Sequence, residues 1–130
     1  MRTPELDRMS AARNILLTTS SAAGTTSTTA EWVAREGDHL YLIVDDASET
    51  ARNIKANPDV ELAPCDRSGK AQGGTTQAQA ELVVDQAGVS RTRDLLRRRY
   101  GLVWPMLDIV LRVTRQRPEH YAAVRLTIPT

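Results

Sequence analysis

The stretch HLYLIVD, from His39 to Asp45, limits the possible folds more than any other part of the chain. On a strand, successive side chains point to opposite faces. Here Leu40, Leu42 and Val44 form one set and Tyr41 and Ile43 the other, so both faces are apolar and both need cover. Such a strand belongs in the middle of a sheet, with a second layer packed on its outer side. With 130 residues, 41% of them hydrophobic, the chain has material for one core of this kind and too little for two. Residues 1–130 therefore read as a single domain.

The flanking segments supply more strands and a few helices. Glu5 to Arg13 has Leu6, Met9 and Ala12 three apart and Pro4 near its start, which predicts a short helix. NILLTTS from Asn14 is a strand, SAAG a turn, and TTSTTAEWVA a second strand that REGD turns into HLYLIVDD as a hairpin. Ser48 is a suitable N-cap for a helix over Glu49 to Ala56, which Pro58 stops. DVELAPCD is extended again, and Pro64 within it points to a sheet edge or a strand end. After the glycine-rich loop RSGKAQGG, TQAQAELVVD forms the next strand. GVSRTRDLLRRRYG then reads as a helix ending at Gly101, and Pro105, Met106, Ile109, Val110 and Val113 predict another. YAAVRLTI closes the chain as a half-buried strand. The total is about six strands with helices between hairpins, a small antiparallel barrel.

Several function classes are excluded. The 17 basic and 16 acidic residues nearly cancel, which argues against a nucleic-acid partner. The longest apolar runs fall far short of the roughly 20 residues of a membrane span, and the charged N-terminus lacks the apolar centre of a signal peptide, so a cytoplasmic location is expected. Cys65 is the single cysteine and reads as a buried small hydrophobe. His39 and His120 have no spacing that would join them in a metal site, and each begins or precedes a strand as a structural residue.

The helix over Glu49 to Ala56 runs almost directly into an extended segment and carries Arg52 and Lys55 three residues apart. Positions three apart are neighbours on a helix surface, so the two cations can converge on one anion, arginine as a planar fork and lysine as a point charge. Asn53 lies between them, ready to orient a polar ligand group or the next loop. Ser48 and Thr50 add hydroxyls near the helix start, where free backbone amides also favour an anion. A solvated helix face with Glu49 nearby explains the same residues, and the spacing alone reaches no further than an anion site on a small barrel.

The succession ILLTTSSAAGTTSTTAEWV, DHLYLIVD and TARNIKANPDVELAPCD resembles the split-barrel flavin- and deazaflavin-binding family related to pyridoxamine phosphate oxidase. NPDVELAPCDRSGK and LLRRRYGL are similar to its F420-dependent branch. The resemblance covers Ala11 to Ile128 and implies a mainly β, six-stranded antiparallel split β-barrel with peripheral helices. It implies a homodimer with a cofactor in each of two grooves between the subunits. The cofactor phosphate would be held at the corner helix by Arg52, Asn53 and Lys55, with Ser48 and Thr50 at its start. The ring would lie along the second strand against Thr28, Thr29, Ala30, Glu31 and Trp32. The chain departs from the family pattern where Ala30 replaces the usual proline, Glu31 an apolar residue, and Thr50 a common lysine.

The activity implied is F420-dependent oxidoreduction, a hydride passing between the deazaflavin and an unsaturated small-molecule substrate. FMN presents the same phosphate and tricyclic ring and stays open as the alternative, as does a carrier that binds the cofactor without turnover. The absence of GxSxG, HExxH, CxxC and P-loop patterns agrees with hydride transfer, which needs none of them. Tyr41, Thr28 and Thr29 are proton-donor candidates by position only. Arg91, Arg93, Arg97, Arg98 and Arg99 offer charge for an acidic cofactor tail, but read more simply as a solvated or dimer-contacting surface. Trp32 divides between ring contact and core packing, and Trp104 reads as a packing anchor or a groove lid.

Overall fold

A computed structural model of the chain describes residues 4–12, 14–66, 68–100 and 121–129. In order, the elements are α1 (Pro4–Ala11), β1 (Asn14–Ser20), β2 (Thr26–Glu31), β3 (Ala34–Glu36), β4 (His39–Asp45), α2 (Glu49–Ala56), β5 (Asp59–Cys65), β6 (Thr76–Val83), α3 (Gln86–Tyr100) and β7 (Tyr121–Thr127). The strands form one antiparallel sheet in the order β2-β1-β5-β6-β7-β4-β3. Its two edges, β2 and β3, are consecutive in the chain and joined only by Trp32 and Val33. The sheet is thereby curled back on itself into a half-barrel.

That junction corrects the strand count to seven. The single strand expected over TTSTTAEWVA is divided, because its first part pairs with β1 (Leu17 opposite Thr29) and its second with β4 (Ala34 opposite Tyr41). One continuous strand cannot serve both edges. Tyr100 fixes the bend, its hydroxyl accepting from the Val33 N–H at 3.1 Å and donating to the Val33 carbonyl at 3.2 Å.

The interior is filled by Ile15, Leu17, Leu40, Leu42, Leu62, Val124 and Leu126, all fully buried. Leu6 and Met9 of α1 and Ala51 and Ile54 of α2 complete it. The two helices close opposite ends of β1. Helix α1 ends at Ala11, shortly before Asn14 at one end of β1, whereas α2 is bonded to Thr19 near the other, about 17 Å further along at the usual strand rise.

Helix α3 covers the outer face of β4 and β7, packing Val89 and Leu96 against Ala34, Ile43, Tyr121 and Ala123. This supplies the second layer that HLYLIVD requires. It also corrects the reading of the last strand as half-buried, since Tyr121 to Val124 are buried on both faces beneath it. Gly88 permits the close approach of α3 to β6: a Cβ there would stand 2.4 Å from Val83 Cγ1. Pro64 lies at a strand end, beyond the last β5–β6 pair of Leu62 with Thr76. The predicted helix around Pro105, together with Gly101, Trp104 and His120, falls outside the described residues.

Candidate functional site

The boundaries of α2 follow from its caps. Ser48 Oγ accepts from the Ala51 N–H at 3.1 Å, satisfying one free amide of the first turn, and Pro58 follows the C-cap Asn57. Thr50, Ala51, Asn53 and Ile54 form its buried face, while Arg52 and Lys55 are exposed. The five polar residues therefore separate. Asn53 is 4% exposed, and its Nδ2 donates to Thr19 Oγ1 at 3.0 Å, so the amide fastens α2 to β1. Thr50 is buried beside it, and the Ser48 hydroxyl is engaged in capping.

Arg52 and Lys55 are left as the cations that α2 presents to solvent. Arg52 Nη1 donates to the Ala47 carbonyl at 2.7 Å, which draws the guanidinium toward the helix start. Among the described residues neither cation forms an ion pair, and Lys55 has no hydrogen-bond partner. Unneutralised charge of this kind, carrying several free N–H donors, suits a phosphate.

The expected ring-contact residues of β2 are divided by the pleat. Ser27, Thr29 and Glu31 stand opposite Thr19, Leu17 and Ile15, so they point inward. Thr28 and Ala30 are exposed on the outer face, where Thr28 Oγ1 lies 2.8 Å from Thr18 Oγ1. The loop after β5 crosses this face, since a Cβ on Gly69 would lie 3.8 Å from that of Ala30. Trp32 stacks on Tyr100 with centroids 4.4 Å apart and planes 17° from parallel, so one face of the indole is already covered. Tyr41 is on β4, which pairs with β3 and β7 and not with β2.

Glu31 is the most perturbed acid in the vicinity. Thr29 donates to its Oε1 at 3.0 Å, but burial dominates and pushes the carboxyl up to about 7. A half-buried carboxyl among apolar neighbours was not legible as a titrating group in the sequence, where Glu31 stood out only as an unusual residue. A polar groove of about 370 Å³ also runs over the outer face between Thr18, Thr26, Glu61 and Gln79. Its carboxylates, Asp59 and Glu61, make it unsuited to a phosphate, and neither α2 cation lines it.

Of the remaining candidates, Arg91 pairs with Glu36, and Arg99 donates to the Ser10 and Ala12 carbonyls. His39 Nδ1 lies 3.1 Å from Thr127 Oγ1, and Cys65 is fully buried. Among the described residues no group of three His, Cys, Asp or Glu is arranged to hold a metal, and no helix is long and apolar enough to cross a membrane.

A curled antiparallel half-barrel with peripheral helices is the split-barrel fold, the class in which flavin-type cofactors are bound. The family model for pyridoxamine 5'-phosphate oxidase matches residues 3–128, and the chain belongs to that family. Solved structures agree on the fold. The conserved hypothetical protein Rv2991 of Mycobacterium tuberculosis superposes with a TM-score of 0.71 at 22% identity, covering 100% of this chain and 82% of that one. HutZ, described as the heme storage protein of Vibrio cholerae, gives 0.69 at 18% identity, with 100% and 92% covered. An F420 reductase gives 0.66 at 19% identity, with 100% and 97% covered. A search of curated proteins found no match.

Proposed function

We propose that the protein binds a phosphate-bearing flavin-type cofactor, F420 in the first instance, and uses it in oxidoreduction of an unsaturated small molecule. The observation that carries this reading is the pair Arg52 and Lys55: two cations without carboxylate partners among the described residues, exposed on the solvent face of α2, which they share with Glu49 and Ala56. They hold the phosphate. Thr28 and Ala30 on the outer face of β2 offer a surface for the ring beside the loop that crosses at Gly69. When bound, the cofactor supplies the carbon that exchanges a hydride. The chain itself supplies position, charge and partial exclusion of water. Two copies form the groove, in keeping with the exposed positions Thr26, Thr28 and Ala30 on edge strand β2, and the protein works in the cytoplasm.

Asn53, Thr50 and Ser48 support the helix instead of touching the phosphate directly, and Trp32 acts through its stack on Tyr100. The test is a fluorescence and calorimetric titration with F420 and, in parallel, FMN, using wild type, Arg52→Ala and Lys55→Ala. Saturable F420 binding that weakens about tenfold in each variant is expected, roughly 1.4 kcal/mol for each lost contact. Tighter FMN binding would change the cofactor and keep the site. Unchanged affinity in both variants would remove it. Bound, reduced cofactor that no acceptor oxidises would make the protein a carrier.

A further inference from the structure

Three arginines from two different elements meet over one cavity at the α1 end of the barrel. It is an open cleft of about 480 Å³, lined by Ser10 of α1, Ala34 and Arg35 of β3, and Leu95, Arg98 and Arg99 of α3. Ala34 is 3% exposed and Leu95 is half-buried, both within the apolar cluster under α3. The floor is apolar and the rim is cationic.

The state of each guanidinium matters. Arg35 Nη1 pairs with Asp7 Oδ1 at 2.7 Å, and its Nε donates to the Gly37 carbonyl at 2.9 Å. Arg99 donates to the Ser10 and Ala12 carbonyls and lies 5.5 Å from the centre of the Tyr100 ring. Neutral carbonyls hold that guanidinium in place without cancelling its charge. Arg98 is exposed, and its one contact among the described residues is a 3.5 Å approach of Nε to the Asp94 carbonyl. Three cations thus face a single paired carboxylate, Asp7, among the described residues. The helix dipole explains cations in the last turn of α3. It explains neither Arg35 on a strand nor the apolar floor beneath them.

We propose that this cavity is a second binding site, separate from the α2 cations, for a small organic oxyanion: a carboxylate or phosphate carried on an apolar body. Arg98 offers a planar donor fork to the anionic head, and Arg35, whose Nε and Nη1 are already engaged, adds its Nη2 and its charge, as Arg99 adds charge beside them. Ala34 and Leu95 receive the apolar part. The volume falls within the ordinary range of small-molecule pockets. The site lies at the end of β1 opposite Asn53, uses no residue of α2, and stands whether or not a flavin-type cofactor binds.

The experiment is calorimetric titration at fixed ionic strength with benzoate, phenyl phosphate, inorganic phosphate and the neutral benzamide. Saturable binding of at least one organic anion, one per chain, is expected, with inorganic phosphate several-fold weaker and benzamide silent. Which organic anion binds more tightly separates a carboxylate head from a phosphate head. Arg98→Gln, which disturbs little packing, weakens binding at least tenfold, whereas Arg97→Gln on the same turn but outside the cavity, and Arg52→Ala on α2, leave it unchanged. The proposal is overturned if neither organic anion saturates, if Arg98→Gln binds like wild type, if Arg97→Gln weakens binding equally, or if Arg52→Ala abolishes it.

Discussion

Asn53→Ala separates a supporting role for this side chain from a ligand-binding one. Its Nδ2 donates to Thr19 Oγ1 at 3.0 Å, with the two residues 4% and 1% exposed. Removing the amide leaves a buried hydroxyl without its partner, a cost of about 1–3 kcal/mol. The space left behind adds about 1 kcal/mol. Together these give roughly 3 kcal/mol, or a fall of about 10 °C in Tm for a chain of this size. Urea denaturation followed by circular dichroism at two protein concentrations measures the change. Lys55→Ala, two positions further on but exposed, changes stability by no more than about 0.5 kcal/mol. In a cycle with Thr19→Val, the pair of variants is less destabilised than the sum of the singles by about 1 kcal/mol or more. A loss below about 0.5 kcal/mol for Asn53→Ala, or strict additivity with Thr19→Val, would refute the structural role.

Glu31 has a raised pKa in the folded protein, about 7 against 4.5, so the folded state binds more protons than the unfolded state between those values and stability falls as pH rises through that window. Urea midpoints measured from pH 4 to 8 show this decline in wild type and a flatter profile in Glu31→Gln; an identical slope in both would contradict it. Tyr100→Phe removes both bonds to Val33 and leaves a buried N–H unpaired, costing about 1–3 kcal/mol in the same denaturation assay. A change below about 0.5 kcal/mol would mean that Tyr100 does not fix the bend. Ser48→Ala removes the cap on the Ala51 N–H and costs about 1 kcal/mol, with faster amide exchange confined to the first turn of α2. A loss spread over the whole helix would argue against a local cap.

Elements governed by local chemistry were legible in the sequence. Ser48 and Pro58 bracket α2 because capping and the steric demand of proline act within a few residues, and the two apolar sets of HLYLIVD called for the cover that α3 provides. Features decided by pairing partners were not. Nothing in TTSTTAEWVA signals that its halves serve opposite edges of the sheet, and the alternation of YAAVRLTI resembles a half-buried strand until α3 is laid over Ala123. The direction of Asn53 was available, since Thr50, Asn53 and Ile54 share one helical face, but adjacency to Arg52 suggested the other face. The meeting of Arg35 with Arg98 and Arg99 is wholly tertiary and left no local trace.

Whether the α2 cations hold a cofactor phosphate is decided by titrating F420 and the matching deazaflavin alcohol, which lacks the phosphate and its tail, into wild type and the Arg52→Ala, Lys55→Ala double variant. A second pair, FMN and riboflavin, which differ by the phosphate alone, isolates that group. Phosphorylated ligands are expected to bind wild type at least tenfold more tightly than their dephosphorylated counterparts, an advantage that disappears in the double variant while the affinity of the alcohols is unchanged. A phosphate advantage that survives loss of both cations, or its absence from wild type, would contradict it.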